Sequence, residues 1–160
     1  CEEHDSWATR HEVVVKYFSA VLKDKVIIDY GCWDGSLLRC CQAFGINCSY
    51  HGIDIEPDII RTAQASNSGY AKFHLIRSEE RLPDDFPTAD TVLLLDVLEH
   101  VPAGTEVQHL IDISRKVRKG GPVILSCPAR SHWSFMDPAW LLGHRHYSES
   151  QLLGLLRHSA

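Results

Sequence analysis

Short, wholly apolar runs recur along this chain, each closed by an acid, a glycine or a polar break and followed by an amphipathic stretch. The first is Val26-Ile27-Ile28, leading into Asp29-Tyr30-Gly31. Tyr50 to Ile55, Phe73 to Ile76, Thr91 to Leu95 and Val123 to Cys127 follow. Apolar residues on consecutive positions suit a strand covered on both faces, as in a parallel sheet, rather than one with a wet side. Helical patterns separate the runs. Ser6 to Leu22 carries Val13, Tyr17 and Val21 beside Val14, Phe18 and Leu22. A helix after Gly35 presents Leu37, Leu38 and Cys41, and Pro57 opens another over Asp58 to Ala65. Thr105 to Val117 aligns Val107, Leu110, Ile111 and Ser114 and stops at Gly120-Gly121, and a last helix begins at Ser148. This alternation predicts an α/β fold: a doubly wound, mostly parallel Rossmann-like sheet with helices on both faces and right-handed crossovers.

The 160 residues, 44% hydrophobic and 23% charged, are enough for one domain over 1–160 and too apolar for a disordered chain. No apolar run reaches the roughly 18 residues of a membrane span. A net charge of -5 argues against a nucleic-acid partner. The six cysteines include no C-x-x-C pair, so zinc-finger spacings are absent and a reduced, cytoplasmic compartment is expected. The chain opens on Cys1 and stops at Ala160 inside a helical pattern, so it is expected to be trimmed at both ends.

In doubly wound sheets ligands sit beyond the carboxyl ends of the strands. The first strand ends in Asp29-Tyr30-Gly31-Cys32-Trp33-Asp34-Gly35, where glycines allow a sharp turn and close approach. Trp33 and Ser36 break the dinucleotide spacing G-x-G-x-x-G, and no G-K-[ST] follows, so a pyrophosphate cradle is poorly supported. The second strand ends in Gly52-Ile53-Asp54-Ile55-Glu56. A carboxylate about 20 residues after the glycine turn is placed to accept both ribose hydroxyls. Turn and acid together predict a nucleoside site.

These segments resemble those of the class I S-adenosylmethionine-dependent methyltransferases of small-molecule type, over about Val26 to Leu156. Asp29 to Gly35 is similar to the family's D-x-G-C-G-x-G, and Gly52 to Glu56 to its second motif. Ala89 to Val92 and Leu95-Asp96-Val97-Leu98-Glu99-His100-Val101 resemble its fourth-strand segment with the L-E-H signature. Gly120 to Leu125 resembles the run before strand five, and His144-Arg145-His146-Tyr147-Ser148 resembles H-x-R-x-[YF]-[ST]. The resemblance implies S-adenosyl-L-methionine as cofactor. Asp29, Gly31, Cys32 and Gly35 would form the loop at its methionine end, Asp54 would hold the ribose and Ile55 would pack on the adenine. Ser78 and Glu79 would offer a polar partner to the adenine amino group, and Asp96 and Val97 would line the floor near the sulfonium. Trp33 departs from the family's central glycine. The resemblance also implies two further strands, for which this chain has no room, so an open sheet edge covered by a second copy or a partner is expected.

Methyl transfer from a sulfonium needs alignment above all, and a hydroxyl acceptor also needs a base. His100, at the ligand end of the fourth strand, is the first candidate base, with His144 and His146 as alternatives. Asp96-x-x-Glu99-His100 with a later histidine could hold Mg²⁺ or Mn²⁺, and it loosely resembles the metal site of small-RNA 3′-end 2′-O-methyltransferases. The first Glu of that site is Asp96 here, so no metal is expected. Trp133 to Leu142 reads as a lid or as packing for the last helix. Arg115 to Lys119 reads as cations offsetting a helix dipole. The expected activity is methyl transfer to a small-molecule oxygen, nitrogen or carbon. A non-catalytic cofactor-binding subunit and a nicotinamide-dependent oxidoreductase are the alternatives.

Overall fold

The structure is a computed structural model that describes residues 5–67, 69, 71–77, 81–130 and 144–159, with side chains in the first helix described from Arg10 onward. Its elements are α1 (Asp5–Leu22), β1 (Val26–Tyr30), α2 (Ser36–Ala43), β2 (Ser49–Asp54) and α3 (Pro57–Ser66). They continue with β3 (Lys72–Leu75), β4 (Thr91–Leu95), α4 (Glu106–Ser114), β5 (Val123–Ser126) and α5 (Glu149–Ser159). The five strands form one sheet in the order β3-β2-β1-β4-β5, and every pairing is parallel. The strand order reverses between β1 and β4, so their carboxyl ends frame the crevice where such sheets bind ligands.

The apolar runs are covered on both faces. Ile27, Tyr50, Leu93 and Ile124 pack with Val14, Val15, Leu22, Leu37, Leu38 and Cys41 from α1 and α2. Ile28, Ile53, Val92 and Leu94 pack on the opposite face with Phe86 and Ile113. All three apolar residues expected of α2 are buried. The stripe read along α1 is different: Val14, Val15 and Leu22 are buried, whereas Val13, Tyr17 and Phe18 are exposed. Helical periodicity defined an apolar band wider than the contact that α2 and the sheet make with it.

Strand ends shift by about a residue from the apolar runs. The β3 ladder ends at Leu75, although the Ile76 amide still donates to the Asp54 carbonyl at 3.0 Å. The α4 helix stops at Ser114, not Val117, because Lys116 and Val117 turn to bridge Ala89. The Lys116 ammonium reaches three carbonyls there, those of Pro83, Asp84 and Phe86, while Arg115 pairs with Asp112 and Arg118 with Asp90. Arg115, Lys116 and Arg118 of the basic run are thereby engaged within the chain. The lid stretch 133–142 lies outside the described residues.

Candidate functional site at the carboxyl ends of β1, β2 and β4

The turn after β1 is left-handed three times over. Gly31 and Gly35 both have φ of 75°, and Trp33, between them, has φ of 49°. The amides of Gly31 and Cys32 donate to the Ile53 carbonyl at 2.8 and 2.9 Å, tying the loop to β2. A Cβ on Gly31 would fall 2.6 Å from Val97 Cγ2, so the loop presses against the segment after β4 at a spacing only glycine permits. The Cys32 side chain is buried and its thiol donates to the Trp33 carbonyl; burial and nearby Asp29 and Asp54 push its pKa far up, making it an inert packing group.

Asp54 is buried at the end of β2, and both of its oxygens brace backbone. Oδ2 accepts from the Trp33 amide at 3.0 Å and Oδ1 from the Glu56 amide at 3.1 Å. Each carboxylate oxygen keeps a second lone pair, so the group can hold this turn and still accept from a diol. Ile55, directly after it, is 51% exposed, as an apolar ligand-facing residue would be. Asp29 is only 3% exposed and takes a very short hydrogen bond from the Tyr50 hydroxyl. Burial above all, with Asp54 adding to it, pushes the Asp29 carboxyl up to about 7 against the lowering effect of Tyr50. Asp29 thus supports the loop from beneath, and Tyr50, its partner, is a residue that sequence reading did not single out. Asp96 has φ of 56°, accepts from Ser126 Oγ at 2.9 Å and forms an ion pair with Arg10. Ser78 and Glu79 lie outside the described residues.

His100 sits on the turn after β4, its ring meeting that of His144 edge to face at 4.4 Å between centroids. Burial, then His144 and Arg145, lower its pKa, which favours the neutral imidazole. His146 is half-buried. What brings His144 to His100 is Arg145. Its guanidinium donates to the carbonyls of Leu98 (2.9 Å), Glu99 (3.4 Å) and Val101, and forms an ion pair with Glu106. The Tyr147 hydroxyl adds a bond to the Leu98 carbonyl at 3.0 Å. In the H-R-H-Y segment the two histidines drew attention, yet Arg145 and Tyr147 fix the loop. Their signal in the sequence was only the pattern H-x-R-x-Y. Glu99 is buried, burial raises its pKa, and one of its oxygens has no hydrogen-bond partner among the described residues. Among the described residues no group of three or more His, Cys, Asp or Glu could hold a metal ion.

The acceptor set fits a nucleoside: Asp54 suits a ribose diol, and the left-handed glycine turn allows close approach beside it.

The Methyltransferase domain family matches residues 7–159. A Ubiquinone biosynthesis O-methyltransferase of Hydrogenovibrio crunogenus is 28% identical over 125 residues, covering 76% of this chain and 50% of that protein. One of the same name from Colwellia psychrerythraea is 29% identical over 114 residues, covering 71% and 46%. The chain therefore spans about half the length of the curated relatives it matches. In structure, magnesium protoporphyrin IX methyltransferase from Synechocystis PCC 6803 with bound SAH superposes with a TM-score of 0.75 at 21% identity, over 96% of this chain and 72% of that one. Family match and strand order agree: the chain belongs to the Methyltransferase domain family and has the fold of the class I S-adenosylmethionine-dependent methyltransferases.

Proposed function

We propose that the chain is the catalytic domain of a cytoplasmic enzyme that moves a methyl group from S-adenosyl-L-methionine to a hydroxyl of a small-molecule acceptor. The observation that carries this reading is the placement of His100: it follows the carboxyl end of β4, meets the His144 ring at 4.4 Å between centroids, and sits on a turn whose carbonyls Arg145 fastens. The cofactor, when bound, supplies a methyl on an already activated sulfonium. Asp54 holds the ribose, and the Gly31–Gly35 turn shapes the wall for the methionine end with Asp29 bracing it. Asp96 and Val97 form the floor. His100 would accept the proton of the acceptor hydroxyl as that oxygen takes the methyl group. His144 stands beside it, and His146 on the same segment is the alternative base.

The relatives named as O-methyltransferases support oxygen over nitrogen or carbon as the acceptor atom. The free cysteines Cys32, Cys40, Cys41, Cys48 and Cys127 support a reducing compartment, and no described helix is long and apolar enough to cross a membrane. The β3 and β5 edges of the described sheet are where a second copy or a partner would pair. The test is methyl transfer to a panel of phenols, amines and carbon acids, read by mass spectrometry. Phenols or alcohols should be methylated, and His100→Ala should lower kcat by about 10²–10⁴-fold with cofactor affinity unchanged. Methylation of amines alone, or an undiminished kcat in the variant, would remove the base from the mechanism.

A further inference from the structure

Trp33 is the residue of the site that local conformation explains least. Its φ of 49° lies in the left-handed region, where a bulky side chain is strained and glycine is not. Packing offsets little of that strain: the residue is 64% exposed, whereas the neighbouring Cys32 is buried. An exposed indole on strained backbone gives up stability twice, once in conformation and once in exposed apolar surface. Such strain concentrates at ligand-binding positions.

Its surroundings indicate which ligand part it meets. The Trp33 amide is held by Asp54 Oδ2 at 3.0 Å, and its carbonyl accepts the Cys32 thiol at 3.5 Å. The Trp33 backbone is thus pinned at its amide and at its carbonyl, and the indole is exposed. The pin is the carboxylate suited to the ribose diol, so the Trp33 backbone sits against Asp54, where the turn at the methionine end meets the ribose. Purines and indoles stack through their π faces, and a rigid aromatic platform with two side-chain torsions loses little entropy in doing so.

We propose that Trp33 is a nucleoside-binding residue whose indole closes over the adenosine half of the cofactor, with Asp54 coupling ribose recognition to the position of the ring. This rests on the cofactor assignment above. It adds a contact that the family's glycine at this position cannot make, in exchange for backbone strain.

The test exploits the opposite signs of the two effects. Titration calorimetry with S-adenosylhomocysteine and with adenosine, alongside thermal unfolding without ligand, is performed on the wild-type protein, Trp33→Gly and Trp33→Phe. Trp33→Gly should weaken both ligands roughly 10-fold, about 1.4 kcal/mol, while its Tm stays level or rises because the strain is relieved. Trp33→Phe should keep affinity within about threefold, since a phenyl ring still offers a stacking face. Affinity within twofold of wild type in Trp33→Gly, a fall in Tm or failure to fold in that variant, or equal loss in Trp33→Phe would each overturn the proposal. Absence of S-adenosylhomocysteine binding by the wild-type protein would instead overturn the cofactor assignment.

Discussion

Replacing Asp29 by Asn should make the protein more stable at pH 8 and leave it nearly unchanged at pH 4. In the unfolded chain this carboxyl ionises near 3.8, whereas in the fold burial moves it to about 7. Below about pH 4 the group is protonated in both states, and the native contribution is fully present. Between about 4 and 7 the unfolded chain has released the proton and the native state still binds it, so stability falls as pH rises. Above about 7 both states are ionised and the loss is complete. A shift from 3.8 to about 7, at about 1.4 kcal/mol per unit, puts the total at roughly 4–5 kcal/mol, an order-of-magnitude figure. The amide keeps an oxygen for the Tyr50 hydroxyl and cannot ionise, so the variant should lack this slope. Urea unfolding of both proteins from pH 4 to pH 8.5 measures it. Tyr50→Phe in either background separates the hydrogen bond from the charge. If Asp29→Asn destabilises equally at pH 4 and pH 8, the carboxyl is an ion that the site stabilises, and the reasoning fails.

Two substitutions probe the turn and the loop that frame the crevice. Gly35→Ala should cost more than Gly45→Ala in thermal unfolding, by at least about 1 kcal/mol. Both glycines are left-handed, but a Cβ at 35 would fall 2.7 Å from Asn67 Nδ2 and 3.0 Å from the Phe73 ring, whereas at 45 it meets nothing within 4 Å. Asn67 Nδ2 is itself bonded to the Asp34 and Ala63 carbonyls and has little room to retreat, so equal costs would contradict the geometry. Arg145→Met should destabilise by about 2–4 kcal/mol, because Glu106 is left as a buried unpaired acid and three loop carbonyls lose a donor. The same variant should depress kcat through His100 while sparing S-adenosylhomocysteine affinity in calorimetry; an equal loss of both would place Arg145 outside that role.

Much of the architecture was legible because it rests on one-dimensional pattern. A strand covered on both faces must be apolar at successive positions, and Thr91–Leu95, buried throughout, announces itself. Turn glycines and the acid at Asp54 are equally local signals. The supports of the site are not local. The Tyr50 hydroxyl meets Asp29 only because β1 and β2 pair in the observed register, and a tyrosine in an apolar run looks like any other core residue. Arg145 lies among histidines that draw the eye, and its targets are backbone carbonyls, which carry no residue identity to be read. Trp33 was visible as a departure from glycine, but its left-handed backbone and exposure needed coordinates.

The two halves of the crevice also differ in when they can be completed as the chain is made. The turn after β1 and the acid that braces it are joined over 21 residues, from Trp33 to Asp54. The loop bearing His100 waits for a guanidinium that lies 44 to 47 residues beyond the carbonyls it binds at Val101 and Leu98. At about 5–20 residues per second of synthesis, that loop stays unfastened for roughly 2–9 s after it emerges. During growth on the ribosome, the nucleoside end can close well before the end that would carry out the chemistry.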